Sequence, residues 1–290
     1  MILVELNGGI GNQMFQYAAA KSLSLYHKVE LKLDITSAEN KSLPTELNKR
    51  PFDLHYFNIS DKTAEEYLIN SYTKISIFSK IINRVKSNYK RKIYREPFFH
   101  YDPNFFKAGP NNYLKGLWQS EKYFNLYRKE IRNGFSIDKN FEIKFSAFLS
   151  ELKKQNSISI HIRRGDYLAK VSLDVLGVLP ITYYHQAIEL IKSKTQNPKF
   201  YFFSDDINWI KENLILPEAT YVSDEITNHQ FEDLYLMSCC QHNIIANSSF
   251  SWWGAWLNNN PNKIIIAPKK WFNKGPKDTQ DLIPESWITI

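Results

Sequence analysis

The strongest constraint on this chain is a regular alternation in its second half. Apolar runs at 157–162, 199–204, 219–223, 243–246 and 263–267 are separated by helix-like stretches at about 182–194, 206–213, 230–240 and 250–257. Short unbroken apolar runs read as strands buried on both faces, and strands alternating with helices make a doubly wound parallel sheet. Right-handed crossovers then bring every strand's carboxyl end to one edge. The polar clusters of this half all follow strands: Arg163-Arg164-Gly165-Asp166, Ser204-Asp205-Asp206 and Asn247-Ser248-Ser249. Ligands of such sheets collect beyond the carboxyl ends. Three clusters on one edge predict a binding site there.

The first half opens with a strand over Ile2–Leu6, a Gly-rich loop over Asn7–Asn12, a helix over Gln13–Tyr26 and a strand over Val29–Asp34. Met14, Ala18, Lys21 and Leu25 mark the helix stripe, and the whole reads as one βαβ unit. From Ser37 to about Phe106 the pattern is irregular, with Pro, Asn and Lys punctuation, and reads as helices and loops. A short strand follows near Tyr113–Gly116, then a mixed helical stretch over Tyr123–Lys153. The expected division is an N-terminal α/β lobe, 1–153, and a C-terminal Rossmann-like lobe, 154–290. No internal repeat is visible.

With 290 residues, 43% of them hydrophobic, and 7 Trp, 17 Tyr and 19 Phe, the chain can bury a sizeable core. No apolar run reaches the roughly 18 residues that a membrane span needs. Met1–Leu6 is too short for a signal sequence and is interrupted by Glu5. Cys239 and Cys240 are adjacent, an implausible disulfide framework. These features point to a soluble, cytoplasmic protein. The net charge of +7 is local: Lys74–Glu96 holds eight basic residues against one acid and accounts for all of it. Ile75, Phe78, Ile81, Ile82 and Val85 fall there at helical spacing, which predicts an amphipathic basic helix. Such a helix either docks peripherally on an anionic inner membrane or packs on the core with its lysines in water. A nucleic-acid module resting on Lys74–Arg95 leaves the polar clusters without a role, so nucleic acid is not an expected partner.

Arginine offers five donors in a planar fork and stays charged, so Arg163 and Arg164 suit bidentate capture of phosphate, with Asp166 pairing to one of them. Gly8-Gly9-Ile10-Gly11-Asn12-Gln13 lies between strand and helix, where backbone N–H groups favour an anion. As a dinucleotide fingerprint it fails, because Gly9-x-Gly11 requires glycine where Met14 stands. Asp34 can mimic a ribose-binding acid, which keeps an NAD(P)-dependent oxidoreductase as the rival reading. Asp205 and Asp206 suit a guanine edge or a metal, and Asp206 also suits the cap of the next helix. No His, Cys or Glu set with metal spacing accompanies them, so no metal is expected. The hydroxyls of Ser248, Ser249 and Ser251 can cap a helix, hold phosphate oxygens, or do both. Trp252 and Trp253 read as core.

Gly8-Gly9-Ile10-Gly11-Asn12-Gln13-Met14-Phe15-Gln16-Tyr17-Ala18, His161-Ile162-Arg163-Arg164-Gly165-Asp166-Tyr167, Phe203-Ser204-Asp205-Asp206 and Asn247-Ser248-Ser249-Phe250-Ser251-Trp252-Trp253 together resemble the bacterial α-1,2-fucosyltransferases of glycosyltransferase family 11. The motifs stand in the family's order across nearly the whole chain. The resemblance implies a GT-B-like α/β fold of two Rossmann-like lobes, with the acceptor on the N-terminal lobe and the nucleotide sugar on the C-terminal one. It implies GDP-L-fucose as co-substrate, no cofactor, no metal, and inverting transfer to the 2-hydroxyl of a terminal β-galactoside. Carried over residue by residue, Arg163 grips the β-phosphate, and Asp166 stands beside it in the catalytic corner. Gly9, Gly11, Asn12, Gln13, His161, Arg164, Asp205, Asp206, Ser248, Ser249, Phe250 and Ser251 are implied donor-binding residues, Asp205 as the guanine reader. The base for the acceptor hydroxyl stays open. Asp166 is nearest by motif, and an oxocarbenium-like path needs none.

Overall fold

The strands follow from where unbroken apolar sequence is available to cover both faces of a sheet. The structure, a computed structural model, describes residues 1–39, 50–74, 85–137 and 139–290. The chain divides into two units, Met1–Ile137 with Asp278–Leu282, and Asp138–Lys277 with Ile283–Ile290.

In the first unit five strands, β1 (Ile2–Glu5), β2 (Leu31–Asp34), β3 (Lys62–Thr63), β4 (Ile93–Arg95) and β5 (Asn112–Lys115), form a parallel sheet in the order β3-β2-β1-β5-β4. The helix Ile10–His27 starts three residues before the expected Gln13, because Gly9 in extended conformation is its N-cap. It ends at Lys28 in the left-handed region, whose N–H returns to the carbonyls of Leu25 and Ser24. Met14, Phe15, Ala18, Ala19, Ala20 and Leu23 are all buried, so the helix is covered nearly all round. A one-sided stripe is therefore only part of its pattern. The segment expected as helices and loops contains β3 and β4, two and three residues long, too short to show a period. The basic helix expected around Ile75–Val85 falls largely on 75–84, outside the described residues.

The second unit holds β6 (Asn156–Ile162), β7 (Pro198–Ser204), β8 (Thr220–Tyr221), β9 (His242–Ile244), β10 (Ile265–Ala267) and β11 (Ile288–Thr289), all parallel, in the order β11-β10-β9-β6-β7-β8. Ile158, Ile160 and Ile162 pack with Tyr184, Ile188 and Ile207 in the main core. On the other face of β6 the residues are polar, and both serines there have partners. Ser159 accepts from Asn243 Nδ2 at 2.7 Å, and Ser157 accepts from the Gln241 N–H at 3.0 Å. Burial without such partners costs about 1–3 kcal/mol per group.

The units part at 137/138 and not at the expected 153/154. Phe141 packs its ring 5.2 Å from Phe231, and Phe148 lies 5.6 Å from Tyr201, so the helices of 139–154 complete the second core. Apolar partners decide to which unit a helix belongs, and these lie downstream. No helix of the described residues is long and apolar enough to cross a membrane.

Candidate active site

β6 and β7 run in register to Ile162↔Ser204, so the segments after them emerge side by side at the carboxyl edge. That alone brings Arg163 to Asp205. The Arg163 guanidinium lies between two carboxylates. Its Nε donates to Asp166 Oδ1 at 2.9 Å, and its Nη2 is 2.7 Å from the same oxygen. Its Nη1 is 3.1 Å from Asp205 Oδ2. Asp205 Oδ1 accepts the Arg164 backbone N–H at 2.9 Å, so this carboxylate fixes both the turn and the guanidinium. Gly165 makes the approach possible, since a Cβ there would lie 2.6 Å from Asp205 Oδ2.

Arg164 points elsewhere. Its Nε donates to Asp206 Oδ2 at 3.2 Å, and its guanidinium sits 3.9 Å from the Trp209 ring centroid. Asp206 uses its other oxygen to cap the helix Ile207–Asn213 through the Trp209 N–H at 3.2 Å, the expected capping role. Two arginines against three aspartates leave no local excess of positive charge. Affinity for an anion at this edge must come from directed N–H groups and dipoles. Only Nε makes a hydrogen bond, while Nη1 and Nη2 make ion-pair contacts and keep N–H groups for a ligand.

His161 stands two residues before Arg163 and is only 3% exposed. Its Nδ1 has no hydrogen-bond partner among the described residues. Burial, with repulsion from Arg163 added, pushes its pKa down to about 3, so the ring is neutral at physiological pH. The Phe250 ring lies 5.3 Å away. Tyr167 donates its hydroxyl to the Asn247 carbonyl at 3.1 Å, tying the arginine turn to the strand end after β9. Burial pushes that phenol up to about 12.

The third cluster splits between a helix N-terminus and side chains turned inward. Ser248 is the N-cap of the helix Ser249–Leu257 but makes no side-chain cap bond, and Ser249 opens the first turn. Helix N-termini of this kind favour phosphate oxygens. Ser251, expected to hold the diphosphate, is turned inward: its hydroxyl accepts the Ala246 N–H at 3.0 Å and donates to the Ala246 carbonyl at 3.2 Å. Trp252 and Trp253 are core. Asn247 Nδ2 reaches the carbonyls of Leu176, Gly177 and Trp271 at 3.0–3.1 Å and gathers three loops at this edge. Sequence reasoning passed over it as part of the Asn-Ser-Ser run.

In the first unit the glycine loop holds itself together. The left-handed residue is Gly8, with φ of +73°, not Gly9 or Gly11. Asn12 Oδ1 accepts from Gln119 Nε2 at 2.9 Å. Gln13 is fully buried and wholly occupied, donating to the carbonyls of Gly8 and Pro51 at 2.9 and 2.7 Å and accepting the Asp53 N–H at 3.0 Å. Its side chain, expected among the donor contacts, is engaged within the first unit. Asp34 is buried and bound by the Tyr113 hydroxyl and the Thr36 N–H, so the ribose-binding role of the oxidoreductase reading has no free carboxylate. Among the described residues no group of three or more His, Cys, Asp or Glu could hold a metal ion.

The profile of the family described as Glycosyl transferase family 11 matches residues 1–290. An alpha-1,2-colitosyltransferase of Escherichia coli is 35% identical, covering 100% of this chain and 99% of its own length. The Galactoside alpha-(1,2)-fucosyltransferase 1 of Homo sapiens is 25% identical over 61% of this chain and 52% of its own length. Among solved structures, a mutant of Arabidopsis thaliana FUT1 in complex with GDP superposes with a TM-score of 0.54 at 12% identity, over 99% of this chain and 75% of its own. At that identity the likeness speaks for the fold alone, and it agrees with the GT-B-like class expected from the sequence. None of these relatives supports an oxidoreductase.

Proposed function

The chain belongs to glycosyl transferase family 11, and from that premise we propose that it transfers L-fucose from GDP-L-fucose to the 2-hydroxyl of a terminal β-galactoside with inversion. The observation that carries this reading is the Arg163 guanidinium, held from two sides by carboxylates at the carboxyl edge of a parallel sheet. In inverting transfer the acceptor oxygen bonds to the anomeric carbon as its bond to the β-phosphate oxygen breaks. The electron pair of that bond goes to the departing GDP, and the acceptor hydroxyl's proton passes to the departing phosphate oxygen or to water. Donors fixed in advance where this charge appears lower the barrier. Arg163 is that donor in our assignment, and Ser248 and Ser249 at the helix N-terminus hold the diphosphate.

Asp166 accepts the Arg163 Nε–H and forms an ion pair with Nη2. We therefore assign it to holding the guanidinium and not to taking the acceptor's proton. Asp205 performs the same service from the other side, and any hydrogen bond to guanine must use its remaining lone pairs. His161 is neutral and nearly fully buried, and its unpaired Nδ1 lies out of solvent reach.

The test is incubation with GDP-fucose and a panel of β-galactosides, followed by linkage analysis. An α-1,2 product is expected. Transfer from another class of nucleotide sugar only, or to another hydroxyl, overturns the reading. A second donor, GDP-colitose, is favoured by the 35% identity to the colitosyltransferase over the whole chain. Colitose is fucose without its 3-hydroxyl. A site that hydrogen-bonds that hydroxyl rejects colitose strongly, whereas an apolar one tolerates both. The ratio of kcat/KM for the two donors decides which is built here.

A further inference from the structure

The amino edge of the first unit's sheet, opposite the edge where ligands of parallel sheets collect, is built from three segments. The helix Ile10–His27 returns to this edge before β2, and the turns Asn88–Lys90 and Phe105–Lys107 enter β4 and β5 from it. His27 Nε2 lies 2.6 Å from the Ala108 carbonyl oxygen, and the Tyr26 ring lies 5.1 Å from that of Phe106. The two turns pack on each other. All three segments belong to the first unit, and none of them leads to the sheet's carboxyl edge. Capture of a nucleotide sugar is therefore no explanation for what they present.

What they present is positive charge. Lys28, Lys86, Lys90 and Lys107 are exposed, and Arg91 is half-buried, its Nε donating to the Lys86 carbonyl at 3.1 Å. No acidic residue occurs at 26–29, 85–95 or 103–110. Other lysines of this unit stand beside carboxylates, Lys21 at 2.8 Å from Asp61 and Lys115 at 2.7 Å from Glu5. Apolar groups lie among the unbalanced charges: Val85, next to Lys86, is 87% exposed, and Tyr26 is 47% exposed. A second copy of the chain brings the same sign of charge and is repelled. A nucleic acid matches the charge but stacks its bases on open ring faces. Here the Lys90 ammonium lies over the Tyr89 ring, 5.9 Å from its centroid, and Tyr26 is flanked by His27 and Phe106. Val85 offers nothing to a phosphate backbone. An anionic bilayer takes the whole set. Its headgroup phosphates meet the lysines at the ends of their flexible stems, and the valine and the phenol ring enter the boundary between headgroups and acyl chains.

We propose that the amino edge of the first unit docks on an anionic lipid surface through Lys28, Lys107 and the basic run 86–91, with Val85 as its aliphatic anchor. Docking of this kind is independent of which sugar is transferred. Sedimentation of the full chain with vesicles tests it, using phosphatidylcholine alone and an equal mixture of phosphatidylcholine and phosphatidylglycerol. Binding is expected to the mixture only, and it weakens as salt rises. Each lysine neutralised near such a surface weakens binding roughly fivefold, so Lys90→Gln combined with Lys107→Gln is expected to weaken it about twenty-fivefold. Lys153→Gln combined with Lys154→Gln removes as much charge from the exposed end of a second-unit helix and leaves binding nearly unchanged. Val85→Ser weakens binding without altering its salt dependence, because no charge is lost. A Tm at the wild-type value shows that each variant is folded. Absence of binding to the mixture, equal binding to both vesicles, equal losses in the two lysine pairs, or an unchanged affinity in Val85→Ser overturns the proposal. Tighter binding to a DNA duplex than to the mixed vesicles overturns it as well and gives the surface to nucleic acid.

Discussion

Arg163 shows why residue type and direction both matter at this edge. Its fork is divided between Asp166 and Asp205, which fixes the plane in which the remaining N–H groups point. A lysine keeps the charge but is a single-point donor, unable to bridge both carboxylates and a phosphate. Arg163→Lys is expected to reduce kcat by about 10²–10³, the usual effect of losing one preorganised donor, with a smaller change in the GDP-fucose KM. Steady-state kinetics checks it, and near-normal kcat removes Arg163 from the leaving-group role. Arg164→Lys should be milder, because Arg164 stacks on Trp209 and pairs with Asp206. The arginines and Asp166 were legible in the sequence because charged residues directly after a buried strand have one place to go. The pairing of Arg163 with Asp205 was not, since spacing gives the edge and not the direction of a side chain. The inward hydrogen bonds of Gln13 and Ser251 were hidden for the same reason. Both satisfy buried backbone groups, Gln13 those of Pro51 and Asp53, thirty-eight and forty positions away.

At the scale of the element, the helix Ser249–Leu257 separates two serines that look alike in sequence. Ser251→Ala strands the Ala246 N–H and should lower stability by about 1–3 kcal/mol, read from urea unfolding. Ser248→Ala should reduce kcat/KM for the donor and cost less stability than Ser251→Ala, since its hydroxyl meets the Tyr167 hydroxyl and no backbone group. The opposite pattern would exchange their roles. A second case is Asp233, which accepts from Ser223 Oγ at 2.7 Å and from Thr227 Oγ1, while Ser223 Oγ accepts the Ser204 N–H at 3.0 Å. Burial pushes its carboxyl from the ordinary 3.8 up to about 6, with Asp224 and Glu232 adding repulsion. Between those values the folded chain binds the proton more tightly than the unfolded one, so this residue's contribution to stability falls as pH rises. Asp233→Asn removes that dependence. Its stability relative to wild type should therefore rise between pH 4 and 6, and a difference independent of pH contradicts the burial argument. The long strands β6 and β7 were readable within a residue and β8 lies inside the run expected at 219–223, whereas β3 and β11 have two residues each and carry no period.

For the whole molecule, the boundary and the last strap were the hidden features. Sequence placed the division before β6, where the apolar alternation starts, but packing assigns 139–154 to the second unit and 278–282 to the first. Contacts between distant segments decide this, and composition does not report them. The charge balance of the candidate site gives the remaining prediction. Asp166, Asp205 and Asp206 hold Arg163, Arg164 and a helix start, so their carboxylates are already spoken for. A divalent cation would have to take them from these partners and free two guanidinium groups in the process. EDTA should therefore leave transfer nearly unchanged, and GDP alone should stabilise the protein in EDTA as well as without it. At a hundredfold excess over its Kd, a ligand of the native state adds about 2.7 kcal/mol, readable as a rise in Tm. NADPH should give none. Activity lost in EDTA and restored by Mg²⁺ or Mn²⁺ would show that the aspartates leave the arginines for a metal. GDP stabilisation abolished together with it would place that metal on the diphosphate.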